Sequence, residues 1–224
     1  MIRSILIILF LMLGFMPAKS QKFQPGFLID TRGQKVEGLI RTDPPGKAPM
    51  KDEGFIIYKD GKKGTETRFS ASDIRCFVVG QDSFVVAHAP HNETWSKKEL
   101  DFVRVVLNEE VKLYLLDGGS TSGGKSFGFH PSVSIGTGGY GGFGGGVGYG
   151  GDDYGSYRNA KTTYYFGANT AEMEQLTPEN FNDAMMDIMG DEPKAVVAIR
   201  SGKFTVGNVN QLIAYFKQLK AEKK

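Results

Sequence analysis

The sequence predicts an α+β protein: an antiparallel β-rich body, a small barrel or sheet, followed by a C-terminal helical segment. Three observations carry that expectation. Short apolar runs separated by turn residues recur through the first half of the chain. A glycine-rich tract at residues 118–155 interrupts them. The last quarter then changes to the helical spacing of apolar side chains.

The chain opens MIRSILIILFLMLGFMPAKSQKF. Arg3 is a positive start, Ile5–Met16 is an apolar run of 12 residues, and Ala18 and Ser20 precede a cut expected at Ser20/Gln21. This order predicts a secretory signal peptide over residues 1–20, since the apolar run is too short to serve as a membrane span. No later run is long and apolar enough to span a membrane as a helix. Cleavage removes Arg3 and Lys19, so the 27 basic side chains fall to 25, equal to the 25 acidic ones. A neutral balance takes away the general electrostatic case for nucleic acid or an anionic membrane as partner. Cys76 is the only cysteine, so no intramolecular disulfide forms, and its apolar neighbours predict an inert, buried thiol.

Within the β-rich body, residues 21–117, GFLID and KVEGLI flank a turn centred on Gly33. Asp43-Pro44-Pro45-Gly46 forces a loop. GFIIY and TETRF flank an Asp60-Gly61 turn, and IRCFVV and SFVVA follow around Gly80. After the link HAPHNETWSKKEL come FVRVVL and VKLYLL, turning at Asn108-Glu109-Glu110. Strict alternation would put Val103, Val105 and Leu107 together on one core-facing side. TTYYF resumes strand character after the glycine tract, so the insertion, residues 118–160, is expected to interrupt a β-hairpin. Residues 161–224 hold the closing strand and the helices. Thr177 and Pro178 predict a helix start, with Phe181, Ala184, Met185, Ile188 and Met189 on one face. Pro193 opens a second helix that ends at Ser201-Gly202, and Val209, Leu212, Ile213, Phe216 and Leu219 form the stripe of a third.

Residues 119–126, GSTSGGKS, fit the phosphate-loop pattern through Gly119, Gly124, Lys125 and Ser126. A working loop needs a helix starting at the lysine, so that backbone N–H groups face the phosphates. Here Phe-Gly-Phe-His-Pro and further glycines follow instead. With 17 of the 30 glycines inside residues 118–155, the two required glycines accompany a Lys-Ser pair by chance about one time in five. The match is read as a coincidence of composition, and no nucleotide or other cofactor is assigned. The tract is expected to be mobile, either a tolerated surface insertion or a source of weak contacts through its scattered Tyr and Phe.

The remaining metal candidates are His88, His91 and Glu93, with Asp73 as a further carboxylate. Pro90 forbids the helical geometry that would align the two imidazoles, and in a strand positions 88 and 91 point to opposite faces, so no metal is assigned. Asp152-Asp153 stands alone among glycines, and Asn92-Glu93-Thr94 is a glycosylation pattern. No Gly-x-Ser-x-Gly nucleophile elbow is present.

PGFLIDTRGQKVEGLI, RFSASDIRCFVV, FVRVVLNEEVKLYLL, YYF and LTPENFNDAMMDIMGDEP, in that order, resemble a group of uncharacterised exported proteins of Bacteroidota-type bacteria. The resemblance covers most of the chain outside the glycine tract, where those proteins have a short connection. It implies compartment and architecture, and it brings no site residues.

Two functions from different classes therefore stand as expectations. One is a non-enzymatic envelope protein, periplasmic, surface-associated or secreted, that binds a partner protein or a polysaccharide. The other is an envelope hydrolase or metal-dependent enzyme whose site is assembled only by the fold. A concave pocket gathering His88, His91 and a carboxylate would favour the second.

Overall fold

The computed structural model describes residues 23–42, 44–92, 94, 95, 97–117 and 162–223. Ten strands form one antiparallel sheet in the order β10-β9-β8-β7-β6-β5-β1-β2-β3-β4. The first four are β1 (Gln24–Asp30), β2 (Lys35–Arg41), β3 (Phe55–Lys59) and β4 (Glu66–Ser70). A single turn, Ala71–Asp73, then carries the chain back to β5 (Ile74–Val79), which pairs with the free side of β1. From there β6 (Asp82–His88), β7 (Leu100–Asn108), β8 (Lys112–Leu116), β9 (Thr163–Gly167) and β10 (Glu174–Gln175) extend the sheet the other way. Two meanders thus grow in opposite directions from the β1–β5 seam.

The first meander curls over itself. Leu28, Ile40, Ile56, Ile74 and Phe77 are buried on its inner side, where Phe77 stacks on Phe84 at 4.6 Å and meets the edge of Phe102 at 5.0 Å. Two glycines permit the tight approach of neighbouring strands. A Cβ on Gly38 would lie 2.5 Å from both the Lys59 carbonyl oxygen and the Tyr58 ring, and one on Gly26 would collide with the Val78 carbonyl. The curl brings residues just before β3 to the start of β7. Gly54 N–H donates to Leu100 O and Glu99 N–H to Asp52 O, both at 2.8 Å, with an isolated parallel bridge between Glu53 and Leu100. That bridge does not close the ladder, so of the two expected forms the sheet, not the barrel, is present.

The second meander is covered by helices α1 (Phe181–Met189), α2 (Pro193–Arg200) and α3 (Val209–Glu222). Their apolar stripes are those expected from the sequence: Met185, Met189, Ile199 and Leu212 are fully buried against Leu113, Leu115 and Tyr164. Full burial of such a side chain contributes about 1.5–3 kcal/mol. The opposite face of the same strands is sealed by the link after β6. Trp95 packs on Val103, Tyr114, Leu116 and Tyr165, and its indole N–H donates to Tyr165 Oη at 2.9 Å.

Two local expectations are corrected. Val103, Val105 and Leu107 do not share a face. The β7–β8 register shifts between Val105 and Leu107, and this bulge turns Leu107 to the helix side while Val103 stays under Trp95. The first helix begins at Phe181 rather than at Pro178. Thr177 N–H donates to Asn180 Oδ1 at 2.7 Å and Asn180 N–H to Thr177 Oγ1 at 3.4 Å, so the predicted cap closes a turn one step before the helix. α2 starts at Pro193 as expected, and Gly202 takes the positive φ of 71° that follows it.

Strands β8 and β9 pair antiparallel, with Leu116 opposite Thr163, so they are the two arms of a hairpin. The glycine-rich insertion joins them and lies outside the described residues, as does the expected signal peptide. No helix among the described residues is long and apolar enough to cross a membrane.

Candidate binding surface

Among the described residues, those singled out by sequence do not converge. His88 ends β6 opposite Leu100 and is exposed. His91 sits in the turn Pro90–Asn92 with φ 57° and is also exposed. Asp73 is already engaged, its carboxylate accepting the Ser70 N–H at 2.8 Å. Among the described residues no three His, Cys, Asp or Glu side chains stand close enough to hold a metal. Glu93, and Gly119, Gly124, Lys125 and Ser126 of the phosphate-loop match, lie outside the described residues. The strand entering that match pairs antiparallel with the strand leaving the insertion. Cys76 is half-buried between β1 and β6, and burial pushes its thiol pKa up.

A different constellation appears on the outer face of β1–β4. Alternation and register place Phe27, Lys35, Glu37, Arg41, Phe55, Ile57, Lys59, Glu66 and Arg68 on the same side of the four strands. Phenyl rings on this side lie beneath cations. Lys35 Nζ is 4.4 Å from the Phe27 ring centre, and the Arg68 guanidinium is 5.7 Å from that of Phe55. Phe23, just before β1, lies under both Arg41 at 4.9 Å and Lys59 at 4.5 Å. Each such contact is worth about 0.5–1 kcal/mol at an exposed site.

The same cations roof the sheet. Ile57 is only 1% exposed although it faces outward, because Arg41 and Arg68 are its cross-strand neighbours on either side. Glu66 lies 3.1 Å from Lys59 and 3.7 Å from Arg41, and Glu37 lies 2.6 Å from Lys35. The bond and the charge of Lys35 hold the Glu37 carboxyl below its ordinary range. Arg68 also donates to Lys47 O at 3.1 Å and so ties the β2–β3 connection to this face. Four cations meet two carboxylates, which leaves a local excess of two positive charges. Arg41 Nε is buried and has no hydrogen-bond partner among the described residues.

Sequence reasoning missed this surface because its members are far apart in the chain. Phe23 and Lys59 come together only through the β1–β2–β3 register. The available signal was the period-two recurrence of Lys35, Glu37 and Arg41 in one strand and of Glu66 and Arg68 in another. On the helical side, Pro193, Lys194, Val197, Ala198 and Tyr215 line a shallow apolar depression between α2 and α3. No family model, curated protein or solved structure matches the chain.

Proposed function

We propose that the chain is an exported cell-envelope protein with a non-enzymatic binding role, and that the outer face of β1–β4 takes an anionic polysaccharide. The observation that carries this reading is the set of cation-covered phenyl rings at Phe23, Phe27 and Phe55. A uronate-bearing sugar chain has two kinds of surface, an apolar C–H face and carboxylates along one edge. Phenyl rings pack against the first, while Arg41 and Lys59 form charge-assisted hydrogen bonds with the second. The inner side of the curl is filled by the protein's own core, which leaves the outer side for a ligand. The signal-like first 20 residues are the basis for export.

Titration calorimetry with a uronate-bearing polysaccharide, against a neutral glucan of similar length, tests the proposal. Binding should favour the acidic polymer and weaken as salt is raised. Arg41→Ala and Lys59→Ala should each lower affinity about tenfold, as expected for loss of a charge-assisted bond. Equal binding of the neutral glucan, or no binding of either, would contradict it.

A further inference from the structure

The edge strand β4 ends the sheet, and its sequence Glu66-Thr67-Arg68 is exposed. Its hydrogen-bonding phase follows from neighbouring contacts. Ala71 N–H donates to Gly54 O at 2.9 Å, and the β3–β4 register runs without a shift from Phe55 opposite Ser70 to Lys59 opposite Glu66. Because ladder bonds alternate, Thr67 and Phe69 turn their backbone groups toward β3. Glu66 and Arg68 turn theirs outward. Ser70 follows the same phase, its N–H leaving β3 for the Asp73 carboxylate.

We infer that β4 pairs antiparallel with β4 of a second copy of this chain, with Thr67 on the two-fold axis. Only a register joining outward groups to outward groups can form hydrogen bonds, and the N–H groups of Ser70 and Gly64 are already bound to Asp73 and Gly61, so the axis falls on Glu66, Thr67 or Arg68. An axis on Glu66 sets carboxylate against carboxylate, and one on Arg68 sets guanidinium against guanidinium; like charges directly opposite are destabilising. The axis on Thr67 places Glu66 opposite Arg68 of the other copy, twice over. It forms four backbone hydrogen bonds, and the two Thr67 residues meet as a non-hydrogen-bonded pair, where side chains approach most closely. Charged residues on an edge strand ordinarily guard against pairing with arbitrary chains. The pattern here repels the alternative registers and fits its own copy. The Arg68 guanidinium already donates to Lys47 O on this side of the sheet, and Glu66 keeps Lys59 as its neighbour. The contact is small, so the dimer is weak and concentration-dependent.

Charge exchange tests the pairing, read by sedimentation velocity of the purified protein over a concentration series. The wild type should form a dimer as concentration rises. Glu66→Arg alone and Arg68→Glu alone each put like charges opposite one another, and should weaken the dimer about tenfold. Mixing these two variants restores both opposite-charge pairs, so a heterodimer should form with near wild-type affinity. The double variant Glu66→Arg with Arg68→Glu should again dimerise with itself, which separates lost pairing from lost folding. A wild type that stays monomeric at its highest soluble concentration would overturn the inference. So would a dimer indifferent to the single reversals, or one that neither the mixture nor the double variant restores.

Discussion

The two halves of the sheet bury their apolar faces by different means. The β1–β4 half curls, and its inner face is filled by side chains from the strands themselves and from β5–β7. The β7–β9 half has both faces covered by other elements, the helices on one side and the Trp95 link on the other. A sheet that supplies its own cover has an outer face on which no helix packs, here covered only by its own long side chains and the β2–β3 connection. There Lys35, Arg41, Lys59 and Arg68 lie over phenyl rings, whereas on the helical side Lys203 and Lys220 lie over Phe204 and Phe216. The covered half has no such face, and its polar groups serve as clasps. Lys220 bonds Asp191 and lies 3.4 Å from Glu109, and Lys223 pairs with Glu192 at 2.5 Å, tying the end of α3 to the α1–α2 turn.

The contrast can be broken most forcefully at the core. Phe77→Ala in the curl should cost about 3–5 kcal/mol, and Leu212→Ala on the buried face of α3 about 2–5 kcal/mol. The curl and the strands packed under α3 belong to one continuous sheet, so chemical denaturation should show a single transition shifted by either variant. Two transitions, each moved by only one substitution, would make the halves independent units.

Gly38→Ala probes whether the curl depends on close strand approach. The added methyl would meet a backbone carbonyl and the Tyr58 ring, and should cost about 1–3 kcal/mol by overpacking. An unchanged melting temperature would show that the strands can spread without loss.

Trp95→Phe keeps an aromatic ring over the covered half but removes the donor to Tyr165 Oη. A loss of about 1 kcal/mol in denaturant titration is expected, and an unchanged midpoint would show that the bond adds nothing to stability.

Cys76 offers the smallest effect. Burial raises its pKa, so the folded chain holds the thiol proton more tightly than the unfolded chain does. Any stability from this is present below the unfolded thiol pKa and is lost as pH rises through the folded value. Alkylation of the native protein at mildly alkaline pH should therefore be slower than in denaturant. Equal rates would show an open thiol.

Much of the fold was legible in the sequence, for identifiable reasons. Gly33, Asp60-Gly61 and Gly80 mark turns, and the three hairpins they join are present. Gly33, Gly61 and Gly80 all take positive φ. The helical stripes were equally plain, because Phe181 to Met189 and Val209 to Leu219 repeat at helical spacing over two turns or more. What escaped is what depends on partners. β10 has only Glu174 and Gln175, too short for any period to show. The bulge that turns Leu107 arises from pairing with β8, and no residue in FVRVVL announces it. The candidate surface escaped for the same reason, since its cations and rings meet across strands. The histidines drew attention by their chemistry, yet His88 and His91 stand on an exposed strand end and turn, and among the described residues no three His, Cys, Asp or Glu side chains gather there.

The division between a free outer face and a covered half is tested most directly by lysine-labelling footprinting, with and without a saturating uronate-bearing polysaccharide. Lys35 and Lys59 should be protected when the polymer is bound, while Lys194 and Lys203 beside the helices label at an unchanged rate. Protection confined to the helical lysines, or spread evenly over both sets, would contradict the assignment of the β1–β4 face.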